Sequence, residues 1–188
     1  MNDLQQDIDW AEIYHIPFKV TQDTKLQWLQ YRISHRILTT NKFLAKIKLV
    51  NSSLCTFCNF EDETIEHLFW NCVKTCSLLE SLKQIMESHN INLIIEKHTF
   101  LLGKCCGSRM LTSDCVENVI LLNIKSYIYK TKCMKGTLNL TALINCLKDY
   151  YNVTKYRYIL KNKLEDCETA WKDWKNVFQW NDINTINP

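Results

Sequence analysis

Cys55, Cys58, His67 and Cys72 fall in the window C-T-F-C-N-F-E-D-E-T-I-E-H-L-F-W-N-C with the spacing C-x2-C-x8-H-x4-C. Two thiols three positions apart can grip one ion from a tight turn. His67 and Cys72 lie about a turn and a half apart on what reads as a helix start. Three thiolates and one imidazole complete a tetrahedral shell of the structural zinc type, with no position open to water or substrate. The pattern therefore ties a loop to a helix and makes residues 55–72 a CCHC zinc knuckle. Cys76, four residues beyond Cys72 on the same helical face, is the one competitor for the fourth place. Ligation needs deprotonated sulfurs and a neutral imidazole, so binding releases protons and weakens in acid. Its energy, about 10 kcal/mol or more in zinc fingers, appears as local folding stability.

The rest of the chain has little material for hairpins or flexible linkers, with three glycines and two prolines in 188 residues. Helices joined by short polar turns are the expected outcome. The fold class is mainly α, an irregular helical bundle with the knuckle embedded in it. Residues 1–90 form a zinc-binding domain, 91–180 a C-terminal helical region, and 181–188 a fraying tail. The lead-in W-A-E-I-Y-H-I-P-F reads as extended because Pro17 disfavours helix at Ile16, with Trp10 and Phe18 as anchors onto a neighbouring surface. Asp23 or Thr24 starts a helix to about Leu38 with Leu26, Leu29, Ile33 and Ile37 as its stripe and Trp28 and Tyr31 on its flanks. Thr39 to Asn41 cap a second short helix. Beyond the knuckle, helical spacing covers about 73–88, 114–133 and 141–165. The stretch around I-N-L-I-I reads as extended up to Gly103, and 105–113 as loop. The tryptophan-bearing segment 171–180 caps the bundle.

The net charge of +3 is unevenly distributed. Residues 24–60 hold six basic side chains and no acid, and 123–163 hold nine against Asp149 alone. Such local surfaces point to polyanionic partners, although each also reads as a solvated helix face. The ten cysteines do not imply a secreted disulfide scaffold. The start M-N-D-L-Q-Q-D-I-D-W is not a signal peptide, and the cysteines outside the knuckle have no framework spacing. Free thiols in a reducing compartment follow, so the expected location is intracellular, cytoplasm and nucleus. No apolar run approaches a membrane span.

Catalytic patterns are missing. Cys105 and Cys106 beside Gly107, with His98 nearby in sequence, read as a loop feature. There is no phosphate-binding glycine loop, no H-E-x-x-H and no pair of aspartates set for two magnesium ions. No small-molecule substrate is indicated. The nucleic-acid candidates are Lys25, Arg32 and Arg36 on the first helix, the arginines sharing a face four apart. Lys42, Lys46 and Lys48 follow. These would touch phosphates of RNA or DNA without reading sequence. Phe57, Phe60 and Trp70 could stack on unpaired bases, Phe57 being the most exposed choice, while Leu68 and Phe69 seal the knuckle to the bundle.

Two runs together resemble the zinc-binding region found C-terminal to the reverse transcriptase of non-LTR (LINE-type) retrotransposons. These are P-F-K-V-T-Q-D-T-K-L-Q-W-L-Q-Y-R-I-S-H-R-I-L-T-T-N-K-F-L and L-C-T-F-C-N-F-E-D-E-T-I-E-H-L-F-W-N-C. Glu63, Thr64, Glu66, His67, Leu68 and Phe69 occupy that family's acidic-Thr-x-Glu-His-Leu-Phe signature, and the resemblance covers about Trp10 to Cys76. The later runs I-K-S-Y-I-Y-K and W-K-D-W-K are similar to the tails of such elements, with less distinctive motifs. The resemblance implies a module that helps the polymerase of the same element hold template RNA or target DNA. It does not imply polymerisation, because the Y/F-x-D-D turn is absent. Two alternatives stand beside it: a structural zinc module docked onto the polymerase, or a degraded remnant of a longer element.

Overall fold

The computed structural model describes residues 9–91, 93–104 and 112–184. The chain folds into α1 (Trp10–Val20), α2 (Thr24–Ser34), α3 (Asn41–Lys46), the knuckle with a π-helical turn (His67–Asn71), and α4 (Val73–Ser88). Then come α5 (Lys97–Leu102), α6 (Thr112–Cys133), α7 (Leu140–Leu160), α8 (Leu164–Ala170) and α9 (Lys172–Asn184). Among the described residues the sole β pairing is one antiparallel bridge, Leu54 to Asp62. The architecture is mainly α, as expected.

The centre is α6. Ile120, Leu121, Leu122, Ile124, Lys125, Ser126, Tyr127 and Ile128 are all buried, so this helix is covered on every side. It packs against α1, α2, α7, α8 and the π-helical turn. The stripe Leu78, Leu79, Leu82, Ile85 and Met86 of α4 is buried where the spacing placed it. At the far end, Trp171, Trp174 and Phe178 close over Tyr151, with ring centroids 5.4 Å apart for Tyr151–Trp171.

Several expectations are corrected. The lead-in is helix, not extended chain: Asp9 accepts from the Glu12 amide at its start, and Ile13, Ile16 and Pro17 are buried. Pro17 removes one helical hydrogen bond, but burying this face of α1 against α6 outweighs it. Trp10 and Phe18 are exposed rather than anchored. Asp23 caps α2 through the Lys25 amide, yet that helix stops at Ser34, because Arg36 turns left-handed and the Ile37 amide closes on the Arg32 carbonyl. Ile37 is consequently exposed and Leu38 buried. Residues 97–102, expected to be extended, form α5, ended by Gly103 at φ 97°. A Cβ there would meet Asn118 Oδ1 at 3.1 Å. Asn162, also left-handed, splits the long final helix into α7 and α8. With so few glycines, left-handed backbone falls on Arg36, Lys48, Asn90, Lys135 and Asn162 just after helices and on Asn59 within the knuckle turn. Helix α9 continues to Asn184, inside the segment expected to fray. Cys105 and Cys106 lie outside the described residues.

The basic stretch 123–163 is not wholly a surface. Lys125 is 1% exposed and Lys132 is buried as well. Lys125 Nζ donates to Gln30 Oε1 and to the Leu101 carbonyl at 3.3 Å, joining α6 to α2 and α5. Burial pushes its ammonium from 10.5 down to about 7. Between those values the unfolded chain holds a proton that the folded chain lacks, so stability rises with pH across the window, by up to about 1.4 kcal/mol per unit, and is lowest below it. Replacing Lys125 with Met should abolish this rise. Urea midpoints of the zinc-loaded proteins at pH 7 and pH 9 check it; equal pH slopes would mean that Lys125 stays charged in the fold.

Candidate metal centre and its flanking groove

The knuckle begins as a short hairpin. The Cys55 amide donates to the Glu61 carbonyl at 2.8 Å and the Glu63 amide to the Ser53 carbonyl at 2.8 Å, bracketing the Leu54–Asp62 bridge. Within it, the Asn59 amide closes on the Cys55 carbonyl at 2.9 Å, with Asn59 left-handed. This turn brings Cys55 and Cys58 together. The Thr64 hydroxyl accepts from the His67 amide and starts the helical segment that carries the imidazole.

The H-x4-C spacing is then met by an unusual local geometry. In a regular α-helix, residues five apart point about 140° away from each other. Here the Cys72 amide reaches back to the His67 carbonyl at 2.8 Å, an i to i+5 bond of π type. Cys72 itself is extended and precedes α4, so His67 and Cys72 do not share the helix start expected for them, while α4 begins at Val73 as the spacing placed it. Leu68 and Phe69 are fully buried, sealing the turn to the bundle.

The outcome is a cluster of four donor atoms, all within 4.8 Å of one another: Cys55, Cys58 and Cys72 Sγ and an imidazole nitrogen of His67. Cys55 and Cys72 sulfurs are 3.7 Å apart, and Cys58 Sγ is 3.3 Å from His67 Nε2. A tetrahedral zinc with ordinary bond lengths needs about 3.8 Å between sulfurs and about 3.6 Å between sulfur and nitrogen. The donor set therefore fits that ion in both size and type. His67 Nδ1 lies 3.2 Å from Glu61 Oε2, an outer contact that puts the proton on Nδ1 and leaves Nε2 for a metal. The Cys55 thiol donates to Cys72 and holds it below the ordinary thiol range, while the same contact, with burial, pushes Cys55 up. A cation bound here takes the place of the proton that now lies between the two sulfurs. Cys76 is not in the cluster; its thiol donates to the Trp70 carbonyl at 2.9 Å.

Glu63 underpins this centre. It is completely buried, accepting from the Asn41 amide at 2.9 Å, the Thr56 amide at 2.8 Å and the Thr56 hydroxyl at 2.7 Å. Lys132 of α6 stands 3.4 Å away. One carboxylate thus joins the start of α3, the C-x2-C turn and the central helix. The sequence marked Glu63 as a signature position without indicating this role. Lys132, counted with a basic surface, is its counter-charge.

Beside the knuckle runs an open groove of about 630 Å³ between α2, α3 and α5. Of the sequence-derived nucleic-acid residues it gathers Arg36, Lys42 and Lys46; Lys97 and His98 of α5 join them, with Trp10 and Phe43 as apolar walls. Lys42 pairs with Asp62 and Lys97 with Glu66. Among the described residues no carboxylate comes within ion-pair distance of Arg36 or Lys46. Lys25, Arg32 and Lys48 do not line the groove. Arg32 and Arg36 do not share a helix face, since α2 has ended before Arg36. Phe57 is not the exposed ring expected: it is half-buried against the core beside Lys74, Leu78 and Leu138, and Phe60 is the knuckle ring that stands in solvent, 84% exposed.

Residues 2–78 match the family model described as zinc-binding in reverse transcriptase. The span contains α1, α2, α3, all four converging donors and the first residues of α4. Zinc is thus the cofactor indicated both by this similarity and by the donor set. No curated protein matches the chain. Among the described residues no helix is long and apolar enough to cross a membrane.

Proposed function

We propose that this chain is a nucleic-acid-binding accessory region of a non-LTR retrotransposon reverse transcriptase, holding template RNA or target DNA for the polymerase of the same element. Cys55, Cys58, His67 and Cys72 hold a structural zinc. The ion fixes the knuckle as one wall of the system, residues 1–90 form the zinc-binding part, and residues 91–180 support it through α6. The chain performs no catalysis by itself and works inside the cell, in cytoplasm and nucleus. The observation that supports this reading best is the groove beside the knuckle, where Arg36 and Lys46 face solvent with no carboxylate partner among the described residues, while Lys42 and Lys97 are held in place by Asp62 and Glu66.

Phosphate contacts of this kind give affinity that falls with salt, by about one unit of slope per phosphate neutralised. Replacing Arg36 and Lys46 with Ala should weaken binding of both single strands and duplexes and flatten the logarithmic salt dependence by about two units, with zinc content and helicity unchanged. Anisotropy titrations at two or more salt concentrations measure this. Unchanged slopes would remove the groove from the reading and favour docking of this face onto the polymerase, with zinc serving only to pin the helices.

A further inference from the structure

A chain of rings crosses the surface formed by α1 and α2. Trp28 and Tyr31 meet edge to face at 5.5 Å between centroids, Tyr31 and His35 at 4.2 Å, His35 and Tyr14 stack at 4.8 Å with 8° between planes, and Tyr14 and Trp10 lie 6.0 Å apart. The rings come from positions 10 and 14 of one helix and from 28, 31 and the cap residue 35 of the other, spacings that put each set on a single helical face. All five are exposed, Trp28 at 61%, and that face belongs to no part of the core. Packing the two helices together does not account for them, because Ile13, Ile16, Leu26, Leu29 and Ile33 occupy the buried sides. At one end Trp10 is also a wall of the basic groove, so rings and cations form a continuous surface.

We infer that this ring chain is a stacking platform for an unpaired polynucleotide strand whose phosphates run along Arg36 and Lys46. The inference rests on the groove's being a phosphate site and adds which form of nucleic acid it takes. Charge complementarity supplies the direction of the argument: a cationic groove continued by exposed rings fits a partner that alternates phosphates with flat apolar faces. An unpaired strand offers its bases to such rings, whereas a duplex keeps them stacked inside. Arg32, one turn beyond Trp28 on α2, donates its Nε to the Trp28 carbonyl at 3.3 Å.

The test uses the full zinc-loaded chain with 20-nucleotide oligo(U), oligo(dT) and a mixed-sequence duplex of equal length, followed by anisotropy. Trp28→Ala together with Tyr31→Ala should weaken both single strands by about 5- to 100-fold per lost stack, leave duplex affinity and the salt slope unchanged, and be rescued in large part by Trp28→Phe with Tyr31→Phe. Because both side chains are surface groups, zinc content and helicity should stay at the parent level. Parent-like strand affinity in the alanine variant, or equal losses on strand and duplex, would overturn the platform while leaving the groove standing. An absence of salt-sensitive binding to any of the three probes by the parent chain would overturn the groove reading and the platform together. Different losses on oligo(U) and oligo(dT) tell whether RNA or DNA is the occupant.

Discussion

Replacing Glu63 with Ala should cost about 3–5 kcal/mol, although the side chain contributes no ligand to the metal cluster. The change strands Lys132, itself buried, without its counter-charge, and removes the acceptor of the Asn41 amide, the Thr56 amide and the Thr56 hydroxyl. Each orphaned donor that stays buried carries a further desolvation cost. Replacing Lys132 with Met should be milder, because Glu63 retains three hydrogen-bond donors after the cation has gone. Denaturant midpoints at fixed free zinc check the order of the two variants. A loss under about 1 kcal/mol for Glu63→Ala would show that the carboxylate does not bind α3, the knuckle turn and α6 into one unit.

Replacing Cys58 with Ser should abolish zinc binding at the knuckle and with it local stability on the order of 10 kcal/mol, drawn from residues 53–72 and the adjoining α3. The loss should not propagate through the whole molecule. Tyr151, Trp171, Trp174 and Phe178 form their contacts at the opposite end of the core, and α6 keeps its own packing with α7 and α8. Hydrogen exchange should therefore show protection lost around Cys55 to Cys72 and retained in α6 and α7. Uniform loss of protection would mean that the ion holds the entire bundle. Retention of one zinc per chain would mean that Cys58 is dispensable.

The parts of this molecule that the sequence disclosed are those specified by short-range pattern. The four donors were legible because their spacing is itself the constraint, and the stripes of α4 and α6 because apolar residues recur at helical intervals. The misreadings share a different cause: long-range contact overrode a local rule. Pro17 argues against helix on its own, yet α1 forms because α6 covers Ile13 and Ile16. Arg32 and Arg36 share a face only if α2 continues, and the left-handed turn at Arg36 cannot be read without a glycine to announce it. Lys125 and Lys132 look like surface charge in a basic run; their burial depends on Gln30 and Glu63, far away in sequence. The ring chain across α1 and α2 was hidden for the same reason, since Trp10 and Tyr14 were placed in extended chain rather than on a helix beside Trp28 and Tyr31. The π-helical turn at His67 had a signal available in hindsight: ligands five apart cannot face one ion from a regular α-helix.

X-ray absorption at the zinc edge of the purified chain is the most direct check that one ion is the keystone of the knuckle. Three sulfur neighbours near 2.3 Å and one nitrogen near 2.0 Å are expected, in the parent and in Cys76→Ser alike, with one sulfur lost in any zinc retained by Cys72→Ser. A parent spectrum dominated by oxygen, or a sulfur shell lost on removing Cys76 and kept on removing Cys72, would contradict the shell drawn from Cys55, Cys58, His67 and Cys72.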